Sequence, residues 1–240
     1  GTFKDPTTPV DDKKGSIRGH LNGGAKAVIH SAPFKIKNKA LSTPEDTTTL
    51  IYGINHTAFN PKKHLLISAA SCTTTGLAHM VKPLLDNEYT SKILTASMST
   101  IHAVTNTQSV LDKLPKAGEK DIRKTRSILN NIILTSTGAA KALIEVIPEV
   151  KNIGFMGDSI RVPTNTLSLI ILNATFQAKQ NKAGEVANID TKKLNEIYEK
   201  AAQNNPLIRF TMQQNVSTDL IGEDAAVIIE GQFNHTRTAF

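Results

Sequence analysis

Short apolar runs separated by polar loops make up the first 72 residues of the 240-residue chain. Each run is brief and is bounded by Gly, Pro or Asn, which is typical of buried strands in an α/β sheet. The pattern predicts three strands in this part of the chain, over residues 27–30, 49–52 and 65–68.

Longer elements are predicted further along the chain. The apolar spacing predicts a helix from Cys72 to about Asn87 and a strand over 93–101 that ends at His102. The segment 105–126 is polar, rich in lysine and too long for a simple connection, so we expect it to be functional or to form an interface. The remaining predicted elements are helices over 138–144 and 191–203, the second capped by Asp190, and strands over 167–176 and 225–230.

The composition is ordinary for a globular protein, with 39% hydrophobic and 20% charged residues. At this length the chain can form one large domain or two smaller ones and can bury a core. Its single Cys excludes an intramolecular disulfide. The sequence also lacks the apolar run of about 18 residues that a membrane helix needs and any evident leader peptide. We therefore expect a cytoplasmic protein with no membrane partner.

The net charge is +7, from 28 basic and 21 acidic residues. A nucleic-acid binder is expected to concentrate its basic residues in a stripe, whereas here they are spread along the chain. Nucleic acid is therefore not an expected partner. Diffuse positive charge favours small anions, although a solvated basic surface explains the charge equally well.

Cys72 is the first candidate for catalysis, because backbone N–H groups and the helix dipole at a helix start stabilise a thiolate. The alternative is a small, buried apolar side chain, since lone Cys residues are often buried. His102 is the candidate partner, because an imidazole can accept a proton near neutral pH. The alternative for His102 is a hydrogen-bonded structural residue at the end of a strand.

Three further segments suggest that the substrate is an anion. Thr137 and Gly138 precede a predicted helix, where hydroxyl and backbone N–H groups can bind phosphate. Arg161 offers a planar pair of donors, and Thr105 follows His102 in the same loop. Together with a thiol and a base, these residues predict a site for a phosphorylated carbonyl substrate. No metal site is predicted, and neither glycine-rich nucleotide-binding fingerprint occurs in the sequence.

Five motifs follow one another along the chain: Ser71-Cys72-Thr73-Thr74, His102-Ala103-Val104-Thr105, the stretch 136–142, Val146-Ile147-Pro148-Glu149 and Arg161-Val162-Pro163-Thr164. In this order they resemble the phosphorylating glyceraldehyde-3-phosphate dehydrogenases. Two upstream segments, 23–33 and 53–56, are similar to the same family, so the resemblance covers nearly the whole chain.

The resemblance implies an α/β fold of two parts. Residues 1–71 would be the C-terminal remnant of a Rossmann-type NAD-binding domain, and 72–240 an α+β catalytic domain with a mixed or antiparallel sheet. Members of the family begin with the dinucleotide fingerprint and end with a helix that returns to the first domain. We therefore expect the sequence to be a fragment, truncated at both ends, that is inactive and prone to aggregation alone.

The resemblance also implies a role for each site residue. Cys72 would be the nucleophile that forms a thioester, its backbone N–H would stabilise the oxyanion, and His102 would act as the base. The substrate phosphate would be held by Thr105 and Arg161. Inorganic phosphate would be held by Ser71, Thr73, Thr137 and Gly138, with Arg126 as an addition.

The implied cofactor is NAD, bound with the help of Ser31. The pair Leu114 and Pro115 resembles the NAD-preferring forms, and NADP stays the alternative. The implied partners are glyceraldehyde 3-phosphate, inorganic phosphate and further copies of the chain in a homotetramer.

Two features depart from the family pattern. Thr75 occupies a position where the family usually carries Asn, and the loop 114–121 is longer than in many relatives. Two alternative functions also remain: an erythrose-4-phosphate dehydrogenase, or a non-catalytic fragment that binds RNA or a partner. The intact stretch 136–141 argues against erythrose 4-phosphate as the substrate.

Overall fold

The computed structural model describes residues 3–180, 184 and 186–237. The chain divides into two compact units, residues 1–82 with 141–151 and residues 83–140 with 152–240. In chain order the helices and strands are α1 (Gly19–Asn22), β1 (Val28–His30), β2 (Thr47–Thr49), β3 (Leu66–Ser68), α2 (Cys72–Asp86), β4 (Ile93–His102), β5 (Ile133–Ser136), α3 (Ala139–Val146), β6 (Gly154–Arg161), β7 (Ser168–Phe176), α4 (Thr191–Asn204), β8 (Ile208–Thr211) and β9 (Val227–Glu230).

The first unit contains a three-stranded sheet in the order β1-β3-β2, with both pairs parallel. The central strand β3 is buried along its whole length, as expected for a strand covered on both faces. The core of this unit is made of aliphatic side chains with 3% exposure or less, among them Leu66, Leu77, Val81, Leu143 and Ile147. Arg18 and Asp46 brace the loops of this unit through two hydrogen bonds of 2.8 Å each.

The second unit contains a four-stranded mixed sheet in the order β5-β6-β4-β7. Strand β4 is central: it pairs in parallel with β6 and antiparallel with β7. Ala96, Met98 and Thr100 are buried on one face of β4. The same unit contains the parallel pair β8–β9 and the helix α4, whose Ile197 and Tyr198 are buried.

The structure confirms the predicted α/β fold with a mixed sheet. The predicted helices and most predicted strands occur within two residues of their expected bounds, and Asp190 caps α4 by accepting a hydrogen bond of 2.8 Å from the Lys193 N–H. The strand predicted over 49–52 lies instead at Thr47–Thr49, because three β-branched threonines pair with β3 while the Ile51 N–H bonds to the Asn55 side chain.

Strands β5, β6 and β8 were not predicted. Strand β6 contains Gly154, Gly157 and Asp158, which are poor strand formers. It forms because β4 and β5 pair with it on both sides, so tertiary pairing outweighs local preference. The predicted domain boundary after residue 71 stays a prediction.

Candidate active site

Cys72 is the first residue of α2 and is exposed to solvent. The alternative of a buried apolar cysteine is therefore wrong. Three residues separate Cys72 from the end of β3, and one of them, Ala70, is buried and has a left-handed backbone with φ of 57°. That conformation costs an L-residue of order 1 kcal/mol, so packing must hold it in place. The turn at Ala70 directs the chain from the buried strand into the helix.

Ser71 caps the helix that Cys72 begins. The first N–H groups of a helix have no carbonyl partner within it. The Ser71 hydroxyl accepts a hydrogen bond from the Thr74 N–H at 3.1 Å, and the Ser71 carbonyl accepts one from the Thr75 N–H at 2.8 Å. The Ser71 hydroxyl also bonds to the buried Thr74 hydroxyl at 2.7 Å. These bonds hold the turn that presents the thiol.

Ser31 lies at the same sheet edge as Cys72 within the first unit. It follows β1 directly, as the segment leading to Cys72 follows β3, and the two strands are parallel neighbours. The Ser68 hydroxyl donates to the Ala32 carbonyl at 3.0 Å and so ties the two loops together. Ser31 is exposed. The carboxyl edge of a parallel sheet is the usual place for a bound nucleotide. The role of Ser31 in cofactor binding stays a prediction.

His102 and Arg161 lie side by side in the second unit. They end β4 and β6, and the register of the two strands pairs them directly. The Arg161 guanidinium contacts the His102 imidazole through Nη1 and Nδ1. The same Nη1 donates to the Ala103 carbonyl at 2.9 Å, and the His102 Nδ1 lies 2.8 Å from that oxygen. Burial lowers the pKa of His102 below its usual range; the hydrogen bond to the Ala103 carbonyl acts against this shift, and the charge of Arg161 adds to it.

Thr105 lies in the loop that follows His102. Its hydroxyl bonds to the Thr107 hydroxyl at 2.9 Å and donates to the Gln108 side chain at 3.0 Å. The Val104 N–H donates to the Thr164 carbonyl at 2.9 Å, which ties this loop to the one after Arg161. The loop that contains Thr105 thus contacts the loop that follows Arg161 at the end of β6. The contact of Thr107 with Thr105 was not predicted, although a second hydroxyl two residues from Thr105 is visible in the sequence.

Thr137 and Gly138 lie between β5 and α3. The Thr137 hydroxyl accepts a hydrogen bond of 3.2 Å from the Ala139 N–H, so it caps the helix, and Gly138 is exposed with open space where a Cβ would be. Strand β5 ends beside Asp158, three residues from Arg161 on β6. At about 3.3 Å per residue, Thr137 lies roughly 10 Å or more along the sheet from Arg161. The structure therefore separates these two predicted anion-binding positions.

Thr73, another predicted residue, lies in the first turn of α2 and is half-buried. Arg126, Leu114 and Pro115 lie in the segment 105–126 and are exposed. Arg126 forms an ion pair with Asp112, with Nε 3.3 Å from the carboxylate. The pKa of Asp112 lies below its usual value, first because the Ser127 N–H donates a hydrogen bond to it and second because of the charge of Arg126. Leu114 is 91% exposed, and Pro115 is exposed as well. Within the described parts of the chain, no helix is long and apolar enough to cross a bilayer, and no cluster of His, Cys, Asp and Glu could hold a metal ion.

Comparison with known proteins agrees with this geometry. The family model for the C-terminal domain of glyceraldehyde 3-phosphate dehydrogenase matches residues 71–238. The chain is 37% identical over 223 residues to glyceraldehyde-3-phosphate dehydrogenase of Chlamydia pneumoniae, which covers 93% of this chain and 60% of that protein. It is 35% identical over 223 residues to the enzyme of the same name from Streptomyces coelicolor, with 92% and 59% covered.

A third relative is glyceraldehyde-3-phosphate dehydrogenase 2 of Bacillus subtilis, 33% identical over 220 residues, with 91% of this chain and 57% of that protein covered. The chain thus spans about three-fifths of the length of the curated relatives that it matches. The matched region contains the exposed thiol of Cys72 and the paired ends of β4 and β6. The chain belongs to the glyceraldehyde-3-phosphate dehydrogenase family.

Proposed function

We propose that this chain carries the catalytic residues of an NAD-dependent, phosphorylating dehydrogenase that oxidises glyceraldehyde 3-phosphate to 1,3-bisphosphoglycerate. The observation that carries the proposal is Cys72, an exposed thiol on the first residue of a capped helix that follows a buried parallel strand. A thiol in that position is suited to nucleophilic attack, because the helix start favours the thiolate. The proposed substrate is inferred from the relatives, which are named glyceraldehyde-3-phosphate dehydrogenase.

In the proposed reaction, the Cys72 thiolate attacks the aldehyde carbon, and the carbonyl electron pair moves to the oxygen. The backbone N–H of Cys72 stabilises that oxyanion, and His102, which holds the proton taken from the Cys72 thiol, donates that proton to it to form a hydroxyl. His102 takes the proton back as the carbonyl re-forms and a hydride leaves the same carbon. NAD, when bound, would supply the acceptor for that hydride. Inorganic phosphate then attacks the resulting thioester, which releases the acyl phosphate and restores the thiolate.

The proposal includes two separate phosphate positions. Thr105 and Arg161 hold the substrate phosphate in this proposal, since an arginine fork and neighbouring hydroxyls suit a phosphate ester. Ser71, Thr73, Thr137 and Gly138 hold inorganic phosphate, with Arg126 as an addition. The separation of Thr137 from Arg161 along the sheet supports the assignment of these two residues to different phosphates.

The cofactor assignment rests on two groups of residues. Ser31 is exposed at the carboxyl edge of the parallel sheet, where a dinucleotide is expected. Leu114 and Pro115 lie in an exposed loop, and their type favours NAD, with NADP as the alternative.

The proposed homotetramer is supported by one face of the mixed sheet. Met156 on β6 is 71% exposed, and Leu169 and Ile171 on β7 are 55% and 45% exposed. The register places all three on the same face, together with Ser99 of β4. An apolar face of this kind favours contact with another protein surface. The proposed location is the cytoplasm.

An acylation experiment tests the role of Cys72 with no requirement for the cofactor. The chain is incubated with 1,3-bisphosphoglycerate without inorganic phosphate, quenched in acid and weighed by mass spectrometry. We expect one acyl group on the peptide that contains Cys72, and none in Cys72→Ser. Acyl transfer to Cys72→Ser at the normal rate would refute the proposal.

Turnover assays separate the alternatives. With NAD and inorganic phosphate, we expect the full-length gene product to oxidise glyceraldehyde 3-phosphate faster than erythrose 4-phosphate. The reverse preference would favour the erythrose-4-phosphate reaction. Salt-dependent RNA binding by a chain that forms no acyl enzyme would favour the non-catalytic role.

A further inference from the structure

The end of α1 contains the only Asn-Gly pair in the sequence, Asn22-Gly23. Both residues are exposed. An asparagine followed by a glycine can lose its side-chain amide without an enzyme, because glycine has no Cβ to keep its backbone nitrogen away from the preceding side chain. The sequence therefore supplies the reacting groups, and the backbone around Asn22 decides whether they can meet.

Backbone hydrogen bonds of α1 hold the pair in a helical conformation. The Asn22 N–H donates to the Arg18 carbonyl at 3.1 Å, and the Gly23 N–H donates to the Gly19 carbonyl at 2.9 Å. The Gly23 nitrogen must lose its proton and turn towards the Asn22 side chain before it can react, and the bond to Gly19 prevents both. The reaction therefore requires α1 to open.

A Schellman motif closes the C-terminal end of α1. The Gly24 N–H donates to the Leu21 carbonyl at 3.0 Å, and Gly24 has a left-handed backbone with φ of 99°. The Ala25 N–H donates to the His20 carbonyl, also at 3.0 Å. These are the two bonds that define the motif. They span the reactive pair, so the motif and the last turn of the helix open together.

The packing of α1 favours such opening. The helix is four residues long, none of the four is buried, and its N-cap residue, Arg18, makes no side-chain cap bond. Isolated helices shorter than about 12 residues are marginal in water, and segments with few buried contacts open at low cost. We therefore expect α1 to open far more often than the core of the first unit.

We propose that Asn22 is a site of spontaneous deamidation, reached by local opening of α1. In the open segment the Gly23 nitrogen loses its proton to water or hydroxide and attacks the side-chain carbonyl carbon of Asn22. The new C–N bond closes a succinimide ring, and the bond to the side-chain nitrogen breaks to release ammonia. Water then cleaves one of the two ring C–N bonds, which leaves an aspartyl or an isoaspartyl residue at position 22.

The loss of ammonia makes the change one-way, and either product disturbs the closed helix. A carboxylate at position 22 lies in the last turn of α1, where the helix dipole disfavours negative charge. An isoaspartyl link also adds a methylene group to the main chain, so the hydrogen bonds from Gly24 and Ala25 lose their register. The modified chain should therefore keep the end of α1 open.

Two matched exchanges of glycine for alanine test the dependence on opening. At both Gly19 and Gly24 an added Cβ would have nothing within 4 Å, so the two variants differ in backbone preference. Alanine fits the helical backbone at Gly19, so Gly19→Ala should slow the reaction roughly two- to fivefold. Alanine is strained in the left-handed backbone at Gly24, so Gly24→Ala should speed the reaction roughly five- to thirtyfold.

The full chain and each variant are incubated at neutral pH, digested at mildly acidic pH and analysed by mass spectrometry. Isoaspartate is measured by methyl transfer from S-adenosylmethionine with protein isoaspartyl methyltransferase. Asn22→Gln is the blank, and the chain unfolded in urea gives the rate without the helix. We expect modification at residue 22 of the folded chain, more slowly than in urea, and faster hydrogen exchange of the Ala25 amide once residue 22 is modified.

A folded chain that keeps Asn22 intact while the chain in urea converts it would overturn the inference, because α1 would then stay closed. Equal rates in Gly19→Ala, Gly24→Ala and the unmodified chain would overturn it as well, since opening would not control the reaction. So would the same yield of isoaspartate from Asn22→Gln. If Gly24→Ala does not fold, the comparison of Gly19→Ala with the unmodified chain decides.

Discussion

Replacing Ser71 with Ala should destabilise the chain through two groups at once. The variant removes the acceptor of the Thr74 N–H and the partner of the Thr74 hydroxyl, which has no exposed surface. Loss of a helix cap costs about 0.5–2 kcal/mol, and an unsatisfied buried hydroxyl costs about 1–3 kcal/mol. The two costs overlap, so we expect Ser71→Ala to lower the free energy of unfolding by about 1.5–4 kcal/mol.

A second substitution tests the physical reason. Thr74→Val removes the buried hydroxyl, so the double variant Ser71→Ala/Thr74→Val loses the cap but leaves no hydroxyl unsatisfied at this position. The double variant should therefore recover part of the stability that Ser71→Ala loses. Urea unfolding followed by circular dichroism gives the free energies, and hydrogen exchange of the residue 74 amide reports the helix start locally.

Ser42→Ala is the matched control, because Ser42 lies at an exposed position and surface changes usually stay within about 0.5 kcal/mol. If Ser71→Ala unfolded like Ser42→Ala, with unchanged exchange at residue 74, the Ser71 hydroxyl would not be holding the helix start. A double variant no more stable than Ser71→Ala would show that the buried hydroxyl is not the larger loss.

Three further predictions concern other parts of the chain. Arg18 holds the pKa of the Asp46 carboxyl below its normal 3.8, so this ion pair stabilises the fold above about pH 4. The contribution is lost as the pH falls through the lower pKa of the folded state. Asp46→Asn should therefore weaken the acid dependence of stability in unfolding curves recorded from about pH 6 to about pH 2. Gly231→Ala should cost about 1–3 kcal/mol, because the new Cβ would lie 2.5 Å from both Met212 and Phe210, whereas Gly19→Ala, with nothing within 4 Å, should be neutral or stabilising; equal melting temperatures of the two variants would contradict this. Iodoacetamide should add one label to the folded chain at Cys72, since that side chain is exposed, and protection that disappears only in urea would mean that the thiol is buried.

The sequence predicted local structure correctly where a residue type strongly favours one structural position, such as aspartate at the start of a helix. Asp190 was predicted as a helix cap and is one, because few other side chains can accept from the Lys193 N–H at a helix start. His102 and Arg161 could each be predicted as site residues from their chemical type, but the contact between their side chains could not be predicted. Their pairing depends on β6 lying beside β4, and β6 has too much Gly and Asp to be recognised from local preference.

The exposure of Cys72 could not be decided from the sequence either. A lone cysteine at a helix start is compatible with a buried or an exposed side chain, and only the turn at Ala70 and Ser71 determines which. The cap itself was readable as a row of hydroxyl residues, but the left-handed backbone at Ala70 was not, because Gly or Asn normally occupies that region.

The left-handed turn at Ala70 sets a limit on how this part of the protein can be engineered or can evolve. Glycine at position 70 would relieve the backbone strain, but it would also allow the segment before Cys72 many more conformations. A β-branched residue would fit neither the left-handed backbone nor the buried space. A residue at position 70 therefore either keeps the segment before Cys72 rigid at the cost of local strain or relieves the strain and loses the rigidity. Alanine is the smallest side chain that still restricts the turn.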